Sequence, residues 1–553
     1  MSYPAFVLAS LLVAAITSAA VLLSRSRWMS VSSAFAGATA LLLIHAFGFF
    51  RFFADDSYIT FRYSRNLAHG FGPTWNAGVN VEGYTNFSWM LALALFSKLG
   101  ADLVITSQVF GGVAMVATFL GVYLLWRRWS EDEPESGIGH PMVLCAMLTG
   151  IAFTGALPFW GFSGMETALF TAFLTLGAAL YISEQRHDRA IPWSAVAFAA
   201  AALTRPEGAI AAAVTAVFVL ARTLDPERRA IEVRRATFWL STFAALYIPY
   251  FTWRTVYYGH LLPNTFYAKV EPTSALYDRG LDYVWTYGTR YLLPAMFVGM
   301  AILAKPSFRR DALYLMALTG ALLGVVIFEG GESFPHGRLI VPVLPLAYAG
   351  GIAGLAMALK QLPLTGRQPA LIAAFALTLG ALALLRSSQE LIGPIANERT
   401  AVQQREALGH WLQEYTPPDY TIAAFAVGAI GYETDRPVLD MLGLNDAVIA
   451  HTTVPNVGKG LGGHEKYNVD YVLDEARPEI IVISDGEGGP VTEDQLRAAT
   501  AASVSPVPAR NALVADPRLW QRYDVRSLEL DGVWYNFLQR SDTISYLQAP
   551  KLR

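Results

Sequence analysis

The stretch RFFADDSYITFRYSRNLAHGFG, Arg51–Gly72, follows directly on an apolar run that ends in Phe49 and Phe50, and how it reads decides the fold. A membrane span does not continue through two adjacent carboxylates and three arginines, because one charged side chain at the bilayer centre costs about 2.5–3.5 kcal/mol. The chain therefore leaves the membrane here. In a helix or turn, Asp55 and Asp56 point in different directions, so one can face a cavity while the other caps or pairs. The bland alternative is that both cap the helix formed by SYITFRYSRNL, with Arg62 and Arg65 on its solvent face. An unpaired carboxylate at the membrane edge has its pKa raised toward the range of a general base.

The rest of the chain supports an exit from a membrane. Of 553 residues, 54% are apolar and only 15% charged, the composition of a polytopic α-helical membrane protein. The net charge of −3 gives no reason to expect a nucleic-acid partner. The single cysteine, Cys145, lies in an apolar run and reads as a small core residue. About a dozen stretches approach the roughly 20 apolar residues a span needs. They are 5–24, 31–50, 103–126, 141–159, 166–183, 191–204, 206–222, 237–258, 288–304, 311–329, 338–358 and 369–386, so about 11–13 spans are expected. The first is read as a retained span, since no basic segment precedes it. NFSWMLALALFSKLG, Asn86–Gly100, is too short to cross and suits an interfacial helix.

Arg25 and Arg27, Arg127 and Arg128, Arg186 and Arg189, the loop ARTLDPERRAIEVRR, Lys305 with Arg309 and Arg310, and Lys360 with Arg367 then fall on one side, the cytoplasm. The expected organisation is a membrane domain over residues 1–386, with a first outer loop over 51–102, and a soluble α/β domain over 387–553. In that last part YTIAAFAVGAIGY, PEIIVISDG and GVWYNFLQR read as strands and ERTAVQQREALGHWLQEY as an amphipathic helix.

The outer loops collect the polar residues that topology alone does not explain. Glu82, Tyr84 and Asn86 follow a Gly- and Asn-rich turn, Glu166 starts a span, and Arg205 and Glu207 stand between two short apolar segments. Asn264, Tyr267 and Lys269 lie in PNTFYAK, while His336 and Arg338 lie in FPHGRL. Aromatic faces stack on sugars and amides or carboxylates hold hydroxyls, whereas cations below the headgroups suit a phosphate carried on a lipid. Arg51 fits a headgroup anchor. His464, Glu465 and Lys466 form a polar cluster without the helical spacing of a zinc motif. A divalent ion at Asp55 and Asp56 suits oxygen ligands, but two carboxylates do not establish a site.

Taken in order, DDSYITFRYSRNL, VEGYTNFSW, SGMETALF, TRPEG, LPNTFYAK, GGESFPHGRLIVPVLP, GAIGYETDRPVLDMLGLND and GHEKYNVDYVL resemble the GT-C class of polyprenyl-phosphate-dependent glycosyltransferases. Within it the chain looks most like the mycobacterial terminal arabinofuranosyltransferases and their pilin-modifying relatives in pseudomonads. The resemblance implies helices around an outward-facing cavity, a first loop with two interfacial helices, and a soluble domain roofing the site in a bacterial inner membrane. It puts the catalytic base at Asp55 or Asp56. It also implies a sugar donor on polyprenyl phosphate and an envelope glycan or protein as acceptor. Arg62, Arg65, Lys269, Arg338 and His336 are then the candidates for the donor phosphate. Glu82, Tyr84, Asn86, Glu166, Arg205, Asn264, Tyr267, His464, Glu465 and Lys466 are the candidates for substrate contacts. Glu332 stands where relatives often carry an aspartate. A hexosyltransferase of the same architecture and a lipid-linked glycan transporter are the alternative readings.

Overall fold

A computed structural model describes residues 3–49, 53–185, 191–362, 380–381, 385, 392–455, 457–483, 489–501 and 507–546. The chain is mostly helical. The helices named below are α1 (Tyr3–Leu23), α2 (Arg27–Phe49), α3 (Asp55–Ala68), α4 (Phe87–Lys98), α5 (Leu103–Asp132), α6 (Pro141–Phe153), α7 (Ala156–Phe162) and α8 (Thr167–Glu184). They continue with α9 (Trp193–Thr204), α10 (Glu207–Ala221), α11 (Arg229–Tyr258), α12 (Asn264–Lys269), α13 (Ser274–Arg290), α14 (Leu293–Leu303), α15 (Arg309–Phe328), α16 (Leu344–Gln361), α17 (Ile392–Tyr415) and α18 (Gly428–Thr434).

Among the described residues seven helices are long and apolar enough to cross a membrane, or eight if the bent pair α6 and α7 is one span. The other apolar stretches of the sequence form helices that are shorter, broken or interrupted by polar residues. The stretch 141–159 is broken by a 58° bend, where Gly155 takes a left-handed conformation at φ 67°. The stretches 191–204 and 288–304 yield only the 12-residue α9 and the 11-residue α14. The stretch 237–258 is the second half of α11, which carries Arg254 and Pro249. Arg51, Arg186, Arg189 and Arg367, like most of 369–386, lie outside the described residues.

Where apolar chain packs in lipid, small residues bring backbones together. A Cβ at Gly354 of α16 would lie 1.8 Å from the carbonyl oxygen of Gly299 in α14, so these two helices touch backbone to backbone. The bundle core around them is filled by Trp126, Trp129, Trp160, Tyr291 and Tyr314, all fully buried.

Between α2 and α5 lie the two short helices α3 and α4. The C-terminal region forms a five-stranded sheet in the order β2-β1-β3-β5-β4, with β1 Ile422–Ala424, β2 Val438–Asp440, β3 Ile480–Val482, β4 Tyr523–Leu530 and β5 Val533–Arg540. The first three strands are parallel and fully buried, while β5 joins β3 and β4 antiparallel. The sheet does not have a core of its own on one face. Ile59, Tyr63, Trp75, Tyr84 and Met90 of the first loop share a single apolar cluster with Leu408, Trp411, Ile422, Ile430, Val438 and Ile480. Burying an aromatic of this kind removes 150–250 Å² from water, so this shared cluster helps hold the two regions together.

Candidate active site

Asp55 and Asp56 occupy the first turn of α3, and the residue in its N-cap position is Ala54. Asp55 does act as a cap, but of a different helix. Its Oδ2 accepts a hydrogen bond from the Gly428 N–H at 2.9 Å and its Oδ1 one from the Ala429 N–H at 3.1 Å. These are the first residues of α18, so GAIGY, which alternates like a strand, is helical because a carboxylate holds its N-terminal donors. Gly428 is needed there, since a Cβ would sit 1.9 Å from the carbonyl oxygen of Asp55. Arg405 of α17 lies 3.5 Å from the same carboxylate. Burial pushes the Asp55 carboxyl up; Arg405 and the two N–H groups pull it back, and Asp56 adds to the rise. Asp56, half-buried, has no hydrogen-bond or ion-pair partner among the described residues.

Both carboxylates line a cavity of about 710 Å³ between the end of the bundle and the sheet. Seven charged side chains of its wall are locked in buried pairs. Glu82 is held bidentately by Arg254 of α11. Glu166 receives Arg205 at 2.7 Å and the Asn86 amide at 2.7 Å, and Arg205 also pairs with Glu207 at 2.6 Å. Arg338 pairs with Glu332 at 2.5 Å and lies over the rings of Trp160 and Phe334. Burial raises the Glu82 carboxyl, with Arg254 working against it. In Glu166 burial is outweighed by Arg205, Arg338 and Asn86, which hold it below the usual carboxylate range. Arg405 meets Glu398 at 3.9 Å as well as Asp55, and Arg279 meets Glu465 at 3.1 Å.

After these pairs three charged side chains of the wall are left without a hydrogen-bond or ion-pair partner among the described residues: Asp56, Lys269 and Glu329. Lys269 stands at the end of α12. His464 also lines the cavity; its Nδ1 meets the Gly462 carbonyl at 3.0 Å, and burial lowers its pKa. Tyr84 is on the wall too, bonded to Tyr258 through its hydroxyl at 3.1 Å.

Seven expected site residues are absent from that wall. Arg62 is consumed by the carbonyls of Trp75, Gly431 and Arg436 and by Asn76, and lies over Trp75. Arg65 pairs with Asp435 at 3.2 Å across Tyr432. His336, at φ 71°, packs its ring 4.3 Å from Phe159. The Asn264 amide donates to the carbonyls of Gly443, Leu444 and Asp446. Tyr267 stacks 4.3 Å from His451. Glu465 accepts from the Gly458 and Gly460 N–H groups, and Lys466 donates to Glu271 and Thr452. Each is already satisfied or enclosed where it stands, which is why none faces the cavity. In their place the wall holds Arg254, Arg279, Glu329, Glu398 and Arg405, none of which was singled out from the sequence.

Among the described residues no three His, Cys, Asp or Glu side chains gather closely enough to hold a metal ion. Each oxygen of Asp55 accepts one backbone N–H.

A family model described as a domain of unknown function (DUF8728) matches residues 394–536. The terminal β-(1→2)-arabinofuranosyltransferase of Mycobacterium tuberculosis is 28% identical over 356 residues, covering 58% of this chain and 54% of its own length. Its counterpart in Corynebacterium glutamicum is 26% identical over 338 residues, covering 54% of this chain and 46% of its own. The chain thus spans about half the length of the curated relatives it matches. Among solved structures, ArnT of Cupriavidus metallidurans bound to undecaprenyl phosphate superposes with a TM-score of 0.55 at 14% identity, over 94% of this chain and 99% of that one. An oligosaccharyltransferase of Archaeoglobus fulgidus follows at 0.54 and 12%, over 91% of this chain and 72% of that one. The chain therefore has the fold of these membrane glycosyltransferases, and its sequence resembles the mycobacterial terminal arabinofuranosyltransferases.

Proposed function

We propose that this chain is a glycosyltransferase that moves a pentose, arabinofuranose in the first instance, from a polyprenyl-phosphate donor to a hydroxyl of an envelope glycan or protein. The observation that carries the reading is what is left over in the cavity wall: a carboxylate, Asp56, and an ammonium, Lys269, which with Glu329 are the charged side chains without a partner among the described residues, the others being engaged in ion pairs. Transfer from a lipid phosphate needs one group of each kind. The acceptor hydroxyl attacks the oxocarbenium-like anomeric carbon, its proton passes to Asp56, and the bond from that carbon to the phosphate oxygen breaks with the electron pair remaining on the phosphate. Lys269 neutralises the departing polyprenyl phosphate. Asp55 is a positioning residue, fixing α3 against α18 so that its neighbour faces the cavity. Glu82, Asn86 and Glu166, each oriented by a buried partner, present carboxylate and amide edges to sugar hydroxyls.

The loops that line the cavity are those that the distribution of Lys and Arg along the sequence puts opposite the basic loops, which supports an active site on the outer side of a bacterial inner membrane. The names of the relatives favour arabinofuranose. A donor panel tests this, with the purified protein in nanodiscs given arabinofuranosyl and mannosyl polyprenyl phosphates and an arabinan oligosaccharide. Transfer from the arabinosyl donor is expected. Transfer from the mannosyl donor alone overturns the choice of sugar, and lipid translocation without any transfer overturns the reaction.

A further inference from the structure

The third unpaired charged group of the wall, Glu329, has no place in the scheme above. It stands one residue beyond α15, where the unsatisfied carbonyls of a 20-residue helix disfavour a negative charge. The two glycines that follow, Gly330 at φ 78° and Gly331 at φ 66°, turn the chain so tightly that a Cβ on them would meet Leu276 at 2.5 Å and the ring of Tyr283 at 2.7 Å. Glu329 is therefore fixed toward the cavity. The charged groups that bear on it are Glu207 of α10, Arg205 before it, Lys269 of α12 and Glu332 after the turn. Arg205 is spent on Glu166 and Glu207, and Glu332 is spent on Arg338. A phosphate drawn to Lys269 thus comes up against Glu329. As a carboxylate it repels that phosphate; as an acid it donates a hydrogen bond to it.

We propose that Glu329 is a proton-bearing catalytic residue, an un-ionised carboxyl that donates a hydrogen bond to a non-bridging oxygen of the lipid phosphate beside the ammonium of Lys269. The inference rests on the donor reading above. Burial and the nearby Glu207 push this carboxyl up to about 8, so it carries its proton at neutral pH. No proton leaves Glu329 during transfer. The acceptor's proton goes to Asp56, the phosphodiester monoanion becomes a monoester, and the hydrogen bond from Glu329 strengthens as the phosphate gains charge.

Undecaprenyl phosphate binding to the full-length protein in nanodiscs tests this between pH 7 and pH 9, with wild type and Glu329→Gln compared so that titration of the lipid itself cancels. If only the protonated form binds, wild-type affinity falls about tenfold over that range relative to the variant, whose amide cannot ionise. Parallel profiles for the two proteins overturn the inference and leave the donor reading standing. Failure of wild type to bind at any pH overturns both. Should Glu329→Gln not fold, the infrared spectrum of wild type at pH 7 decides instead. A protonated-carboxyl band that shifts when undecaprenyl phosphate is added is expected, and its absence refutes the proposal.

Discussion

Replacing Asp55 and Asp56 separately by asparagine separates positioning from proton transfer. Asp55→Asn keeps one acceptor oxygen but turns an NH2 group toward a backbone N–H, either that of Gly428 or that of Ala429. One charge-assisted hydrogen bond is lost outright and the other becomes neutral. At about 1.5–3 kcal/mol for a bond to a charged group, the docking of α18 on α3 weakens by about 2–4 kcal/mol. Asp56→Asn breaks no partner, so its stability stays near wild type, while loss of a general base costs about 10²–10⁴ in rate. The assay pairs thermal unfolding in nanodiscs with single-turnover sugar transfer on the folded fraction. Asp55→Asn is expected to unfold at lower temperature and to lose turnover through misplacement of α3. Asp56→Asn is expected to unfold like wild type and barely turn over. If instead Asp55→Asn unfolds like wild type yet is inactive, while Asp56→Asn transfers sugar normally, the division of labour is refuted.

Lys269→Ala removes the unpaired cation and should raise the donor KM or lower kcat by about 10- to 100-fold, with stability unchanged; equal steady-state constants in both proteins would remove Lys269 from the site. Glu82→Gln leaves the Arg254 guanidinium buried without its counter-ion, at a cost of about 3–5 kcal/mol. The double variant Glu82→Gln with Arg254→Gln should recover part of that loss in thermal unfolding, and a double variant worse than the sum of the singles would contradict the pairing. Arg62→Lys cannot satisfy three carbonyls and Asn76 together, so it should lower stability while the folded fraction binds donor normally. A selective loss of donor affinity in a fully stable Arg62→Lys protein would return Arg62 to the phosphate.

Polar residues stranded in apolar chain were legible because desolvation demands a reason for them. Glu166 and Arg205 stand out on that ground, Glu82 and Asn86 by following a Gly- and Asn-rich turn, and all four line the cavity. The same rule applied to Arg254, which lies among tyrosines and tryptophans inside a stretch taken as a span, points to its need for a partner such as Glu82. Helical phase carried a signal about Arg62 and Arg65. Ile59 and Thr60, three and four residues after Asp56, line the cavity with it, whereas Arg62 and Arg65, six and nine residues after it, turn off that face, and Arg62 reaches the carbonyl of Gly431 in α18. Arg405 and Glu398 were not legible, because on an amphipathic helix a residue facing a cavity has the same pattern as one facing water. The helix at GAIGY depends on a carboxylate more than 370 residues away in sequence, a distance at which local propensity says nothing.

The apolar cluster shared by the first loop and the sheet also sets an order of assembly. Ile59, Tyr63 and Trp75 are synthesised hundreds of residues before Leu408, Ile422 and Val438, which cover them. Until those later residues are made, the loop has no surface on which to bury its aromatic side chains, and contacts of such sequence separation form slowly. The cavity wall draws on residues from Asp55 to His464, so it is complete only when most of the chain has been made, and a half-made protein has no enclosed site. A chain at that stage leaves the aromatic side chains of the first loop uncovered.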